Sequence, residues 1–480
     1  MSIRDLTKQK PWLNWVLFFA TVIIVFIIGL FAASIVERRS EAQLYFQMVN
    51  PIPEWEPDNA VWGENFPRQY QTYLNTLDTT FRSRYAGSAT INYLEKYPEM
   101  VVLWAGYSFS KGYNQGRGHY YALTDIRETL RTDVPQPATC WTCKSPDVPG
   151  LMNTMGVAEF YSSTWMELGS EIQNPIGCQD CHDSETMNLI ITRPALVEAF
   201  ERRGLDINEV SHQEMRTLVC AQCHVEYYFR GEGTYLTFPW DDGLTADDME
   251  EYYDRIEHVD FMHALSRTPI LKAQHPDYEM YRTGIHSKRG VSCSDCHAPY
   301  RREGGVKFTD HHFASPLQNV ENSCQVCHRE SEEDLIADVY AHQDKISELR
   351  RIAEKNLARV HIEAKHAWDA GATEEEMIPV LQLIRHSQWR WDWVAAANGY
   401  GIHSPTEALR VLATSIQKAQ QASLELTVIL HKYGVDYPID MPDLSTQEKA
   451  QAYIGLDMEQ LQQQKQQFRE QVLPEWLKAM

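Results

Sequence analysis

A mainly α-helical fold is predicted, in which a cysteine-rich middle with sparse regular structure precedes long C-terminal helices. Three observations carry this expectation. All ten cysteines fall between residues 140 and 327, in C-x-x-C pairs. The segments joining those pairs show only short stretches of helical or strand periodicity. Beyond residue 330 no cysteine occurs, and apolar residues recur at helical spacing over long runs.

Taken in order, the chain opens with a membrane-targeting segment. Arg4, Lys8 and Lys10 precede an apolar run from Trp15 to Val36 that contains no charge. The run is long enough to span a bilayer and exceeds the usual core of an export signal. Its basic side is expected to stay cytoplasmic, so the bulk of the chain is expected outside. Residues 1–14 are thus read as a cytoplasmic N-terminus and 15–36 as an anchor. Ala32-Ala33-Ser34 keeps a cleaved export signal open as the alternative. Residues 40–330 form the cysteine-rich region and 331–480 the long-helix region. The net charge of −22 argues against a nucleic-acid partner. It also means that any anionic substrate needs local positive charge, because the overall field repels it.

Between Glu54 and Pro149 the chain is rich in Tyr, Trp, Gly and Pro. Short helices are expected near Ile91 to Tyr97 and from Thr124 to Arg131. The pairs themselves follow. Four end in histidine: Cys178-Cys181-His182, Cys220-Cys223-His224, Cys293-Cys296-His297 and Cys324-Cys327-His328. C-x-x-C-H is a c-type haem attachment signal, with two thiols bonded to the porphyrin and the histidine on the iron. The first pair, Cys140-Trp141-Thr142-Cys143-Lys144, puts lysine where histidine is expected. Zinc ribbons use cysteine pairs in twos and leave the four histidines unexplained. A disulfide framework belongs to small loop-rich domains, not to a chain of 480 residues with 43% hydrophobic content. Five covalently bound haems c, one of them altered, are the reading that uses every cysteine. An altered haem served by four others is the arrangement this suggests.

Six-coordinate haems need further axial ligands, and fourteen histidines lie outside the four motifs. His119, in Arg117-Gly118-His119, is a candidate because glycine lets backbone approach a flat ring. Val225-Glu226-Tyr227-Tyr228-Phe229 follows the third pair, and Leu271-Lys272-Ala273-Gln274-His275-Pro276 comes later. Asp241 and Asp242 read as a solvated loop. Long helices are expected over Leu335 to Ala370, Glu374 to Ala397, and Pro405 to about Gly434. Ser404 and Glu407 are read as a capping box, and Ser445 with Glu448 as a second one before the Gln-rich end. His403 is the one residue with visible chemistry in this region.

Together, C-W-T-C-K, the four C-x-x-C-H sites, R-G-H, H-V-E-Y-Y-F and K-A-Q-H-P resemble the ammonia-forming cytochrome c nitrite reductases. The likeness runs from about residue 100 to the C-terminus. It implies six-electron reduction of nitrite to ammonium, in dissimilatory nitrite ammonification, at a haem held by Lys144. It also implies distal catalytic residues Arg131, Tyr227 and His275, with Arg127 as rival to Arg131 and His275 protonated. A calcium ion is implied at Glu226 and Gln274 through side chains and at Tyr227 and Lys272 through carbonyls. The second axial ligands implied are His119 for the third haem, His286 for the fifth, His403 for the fourth and His312 for the second, with His311 as rival. The resemblance further implies a homodimer joined by long helices. Its electron donor is either a quinol-linked membrane multihaem cytochrome or a soluble multihaem protein. A reductase of sulfite or hydroxylamine and a pure electron carrier are the rival functions.

Overall fold

The computed structural model describes residues 10–44, 48–132 and 136–478. Arg4 and Lys8, read above as part of the basic flank, lie outside the described residues. The chain divides into an N-terminal unit ending at Pro51 and a body beginning at Ile52. In the first unit, α1 (Trp12–Leu44) begins with a 25-residue apolar stretch, Trp12–Val36, none of it buried. At about 1.5 Å per residue it exceeds the ~30 Å hydrocarbon core of a bilayer.

The body keeps the cysteine-rich and long-helix regions in one unit. Its first half is built from short helices and turns. The expected Thr124–Arg131 helix is α2, Ala122–Glu128, followed by a single tight turn at Leu130–Thr132. Three two-stranded antiparallel hairpins follow: β1 (Tyr228–Arg230) with β2 (Tyr235–Thr237), β3 (Phe261–Met262) with β4 (Pro269–Ile270), and β5 (Tyr300–Glu303) with β6 (Val306–Thr309). Each one ends beside a residue singled out above. Tyr227 immediately precedes β1, Leu271-Lys272 follows β4, and Asp310-His311 follows β6. The short helix α3 (Asp277–Thr283) lies between the second and third hairpins.

Three long helices complete the body: α4 (Glu332–Asp369), α5 (Glu374–Ala396) and α6 (Pro405–Lys432). Ser331 caps α4 by accepting the Asp334 N–H, and Glu332, Glu333 and Asp334 complement the positive end of its dipole. Thr373 and Glu376 form a capping box on α5. Two expected boxes differ. Ser404 is buried and makes no side-chain cap, while Glu407 pairs with Arg410 instead. Near the end, Thr446 rather than Ser445 accepts the Lys449 N–H, because Ser445 lies one residue outside the first turn. The Gln-rich segment is helical over Met458–Gln467.

The core is thickest where α5 meets the rest. Trp389, Trp391 and Trp393 are all buried. At about 200 Å² per indole and ~25 cal/mol per Å², each contributes roughly 5 kcal/mol of burial before entropy is counted. Their polar edges are satisfied, Trp389 Nε1 donating to the Ala246 carbonyl and Trp391 Nε1 to Glu354. Asp392, between the latter two tryptophans, points at the site described next.

Candidate functional site

None of the ten cysteines is joined to another in a disulfide, so the disulfide reading falls. No group of three or more His, Cys, Asp or Glu suited to a metal occurs among the described residues. The attachment loops lie against one another instead. Cys143 lies beside Cys223 and Cys220 beside Cys293, which puts the third site next to both the first and the fourth. Buried Arg193 joins the first and second. Its Nε donates to the Thr142 carbonyl (2.7 Å), and its Nη2 to the Ser145 carbonyl (2.9 Å) and to Asp180 inside the second motif (2.5 Å). Trp141 stacks on Trp165 at 5.0 Å, which holds the lysine-ended loop from behind.

Each C-x-x-C-H histidine faces a second imidazole. Ring centroids are 6.2 Å apart for His182 and His311, 6.4 Å for His224 and His119, 6.2 Å for His297 and His403, and 6.2 Å for His328 and His286. Two metal–nitrogen bonds of about 2 Å, with the ring radii added, put the centroids of two imidazoles on one metal about 6 Å apart. The spacing therefore fits an iron between each pair. His182, His297 and His311 donate from Nδ1 to the carbonyls of Met187 (2.9 Å), Ala314 (3.0 Å) and Thr309 (2.8 Å), which leaves Nε2 for the metal.

One expectation is corrected here. His311, not His312, stands across from His182. The His311 N–H donates to Thr72 Oγ1 (2.9 Å) and its ring is tied to Thr309, whereas His312 is only half-buried and anchored by its backbone to Asp310. At Gly118, a φ of +108° gives glycine a second reason, because the turn that presents His119 needs a conformation other residues rarely adopt.

Arg131, Tyr227 and His275 all lie near the lysine-ended loop, each of them partly buried. Arg131 lies over the Phe109 ring at 4.3 Å and feels Cys140 and Tyr227 electrostatically; burial lowers its pKa, yet a guanidinium stays charged. Arg127 is elsewhere, donating to the Ile172 carbonyl (2.6 Å) and lying near Trp141 and Trp476. The Tyr227 phenol is pushed well above its usual pKa by burial and by the nearby Cys143 and Cys140, so it stays protonated. Burial, and then Lys144 nearby, lower the His275 pKa to about 3. Its Nδ1 has no hydrogen-bond partner among the described residues, so it is free to bond a group held at the lysine-ended loop.

Behind the trio, Glu226 is fully buried. Its carboxylate accepts the Gln274 N–H (2.6 Å) and the Tyr253 hydroxyl (3.0 Å). Burial, then the nearby Glu279 and Asp260, pushes its pKa well up. The Gln274 amide lies 3.3 Å from the Lys272 carbonyl. Lys272 is fixed by a buried pair with Asp392 on α5 (2.9 Å), and the Ala273 N–H donates to the same carboxylate (2.7 Å). Lys272 was legible in the sequence, whereas Asp392 and Arg193 were not, because neither sits in a motif and each acts across a distance in the chain.

Five attachment loops, four with paired imidazoles at metal-bridging distance, define a multihaem c-type cytochrome that carries five covalent haems. Comparison with known proteins agrees. The chain belongs to the cytochrome c552 family, whose model matches residues 58–480. Cytochrome c-552 of Porphyromonas gingivalis is 54% identical over 480 residues, covering 98% of this chain and 96% of that one. The Bacteroides thetaiotaomicron cytochrome c-552 is 53% identical over 478 residues, covering 98% and 97%. Among solved structures, the catalytic subunit of the cytochrome c nitrite reductase from Desulfovibrio desulfuricans, described with two calcium sites, aligns with a TM-score of 0.75. It is 30% identical over 89% of this chain and 96% of that chain.

Proposed function

We propose that this chain reduces nitrite to ammonium at the haem attached through Cys140 and Cys143, with Lys144 on the iron and four bis-histidine haems as the electron supply. The observation that carries the reading is the contrast among the five loops. Four have a facing imidazole, while the lysine-ended one is attended by Arg131, Tyr227 and His275. The likeness to the Desulfovibrio nitrite reductase supports it. When bound, that haem supplies an iron with an open position for the anion, and its neighbours deliver the six electrons.

The chain's own residues supply binding and protons. Arg131 is the fixed positive charge that draws an anion into a protein of net charge −22. Eight protons must follow the electrons, and His275 and the Tyr227 hydroxyl are the neutral donors placed to pass them inward. A low-dielectric pocket strengthens each of these interactions.

Calcium fits the buried Glu226 carboxylate, with the Gln274 amide oxygen and the Tyr227 and Lys272 carbonyls as further hard donors. A carboxylate buried beside Glu279 and Asp260 is costly without a cation, and this supports the assignment. The axial set is Lys144 with His182–His311, His224–His119, His297–His403 and His328–His286. Helix α1 would hold the body on the outer face of the cytoplasmic membrane, facing a quinol-linked multihaem donor or a soluble one. Two copies would pair along α6, whose outer face exposes Leu424 and Val428.

The test is product accounting on the purified, haem-loaded protein with nitrite and a reduced viologen. Six electrons are expected per ammonium formed. Lys144→Ala, still carrying its other four haems, is expected to lose that activity. Dye oxidation without ammonium overturns the reading.

A further inference from the structure

Asp277 opens α3, two residues after His275, and nothing above gives it a role. Its carboxylate is buried and touches two histidines that belong to different haems. Oδ2 lies 3.5 Å from Nδ1 of His224, in the third attachment motif. Oδ1 lies 3.7 Å from Nδ1 of His403, the imidazole that faces His297 of the fourth. Asn398, just beyond α5, clamps both oxygens: its N–H donates to Oδ1 (2.8 Å) and its side-chain amide to Oδ2 (2.7 Å).

The surroundings fix this arrangement. The Tyr278 N–H donates to the His224 carbonyl (3.1 Å), holding α3 against the third loop. A Cβ on Gly399 would come within 3.0 Å of the His403 ring, and one on Gly284 within 2.1 Å of its carbonyl, so both glycines are required by close approach. His403 Nδ1 has no hydrogen-bond partner among the described residues, which leaves Asp277 as the acceptor within electrostatic reach. At three other axial imidazoles the pattern is different: His182, His297 and His311 give their Nδ1 protons to neutral backbone carbonyls. His328 has a carboxylate, Glu330, 3.9 Å from its Nδ1, but that one is exposed and serves a single imidazole.

We infer that Asp277 is a shared positioning residue, one anion placed behind an axial imidazole of the third haem and one of the fourth, which sets the potentials of the two together. The inference rests on the axial ligands assigned under Proposed function. A carboxylate behind a metal-bound imidazole raises its basicity, stabilises the oxidised metal and lowers the potential. A carbonyl does so less because it carries no net charge. Sharing one carboxylate lowers two adjacent potentials by similar amounts. An electron passing between them toward the lysine-ended site then meets no deep trap at either.

The experiment is a spectropotentiometric titration of the intact haem-loaded protein, with electron paramagnetic resonance counting the low-spin haems. Asp277→Asn keeps the shape and removes the charge. It is expected to raise the midpoint potentials of two of the four low-spin haems and leave the others in place. Asn398→Ala is the second variant, usable even if the first assembles poorly. It keeps the charge and the backbone donor to Oδ1 but removes the side-chain donor to Oδ2, so the potential of the third haem, whose His224 faces Oδ2, is expected to fall, and that of the fourth to fall less. For Asp277→Asn, four low-spin haems with unmoved potentials, a shift confined to one haem, or an equal shift of all would overturn the inference alone, as would a third-haem potential that stays or rises in Asn398→Ala. Fewer than four low-spin haems in the unaltered protein would overturn it together with the ligand assignment.

Discussion

Arg131 and Arg127 are four residues apart, the first partly buried and the second buried, and both lie close to the lysine-ended loop, yet their surroundings assign them different work. Arg131 sits over Phe109 within the field of Tyr227 and Cys140, with Thr129 Oγ1 3.2 Å from its Nε. Arg127 spends its guanidinium on the carbonyls of Ile172 and Gly169 and on the faces of Trp141 and Trp476. Arg131→Gln should therefore raise the KM for nitrite by at least tenfold, roughly the 1.4 kcal/mol or more that a charge-assisted hydrogen bond supplies, with little change in melting temperature. Arg127→Ala should do the reverse, costing about 1–3 kcal/mol of stability by leaving buried carbonyls unpaired. Steady-state kinetics and thermal melts on the two variants check this, and matching effects in both would remove the distinction. The sequence presented the two as rivals because it shows spacing and not surroundings. His311 and His312 were ambiguous for the same reason. Adjacent residues leaving a strand point to opposite sides, and only the hairpin β5–β6 decides which of them turns toward His182.

Whole elements were easier to read than their ends. The three long helices were legible because a 3.6-residue apolar period sustained over many turns has few competing explanations. Their caps were less so. A serine and a glutamate at the right spacing are necessary for a capping box, but a buried Ser404 with no side-chain cap and a start displaced to Thr446 are decided by tertiary contacts. Least legible was what α4 does with His361. That ring stacks on His263 at 3.6 Å, its Nδ1 2.8 Å from Ser266 Oγ and its Nε2 donating to Gln388 Oε1 (2.6 Å) on α5. His263 Nε2 in turn donates to the Val102 carbonyl (2.8 Å). Four segments distant in sequence thus meet at two neutral imidazoles. Burial lowers the His361 pKa from 6.5 to about 4, and burial with the adjacent His361 lowers His263 further. A ring that binds protons less well when folded contributes stability that is fully present above pH 6.5 and is lost as pH falls toward 4. For His361 alone the loss amounts to about 3 kcal/mol. The intact protein should melt lower at pH 5 than at pH 7.5, and His361→Gln should flatten that difference. Parallel curves for the two proteins would show that the pair takes no part in it.

At the scale of the molecule, α6 has more apolar surface than the body can cover. One face, through Val411, Leu412, Ala419, Ala422, Leu426 and Leu430, is completely buried against its neighbours. The opposite face carries Ala413, Gln417, Gln420 and Gln421 and then Leu424 and Val428, which are 69% and 72% exposed one turn apart. A 28-residue helix is about 42 Å long, enough to present a continuous, weakly charged stripe to a second copy about a two-fold axis. Such an axis brings a patch against itself, so one substituted charge meets its own copy and the repulsion is doubled in effect. Leu424→Glu with Val428→Glu should convert a dimer into a monomer in detergent solution, as read by sedimentation velocity on the full chain. The body itself should lose little, since exposed substitutions away from caps and cores usually stay within about 0.5 kcal/mol. The haem spectrum should then be unchanged while the mass halves. An unchanged mass would move the contact off this stripe, and a lost spectrum would mean that the face supports the fold of the single chain. The arrangement also bears on catalysis, because α6 begins directly after His403. A dimer formed along it would brace the segment that closes the fourth haem site, so the monomeric variant should show a broader low-spin signal from that haem than the dimer does.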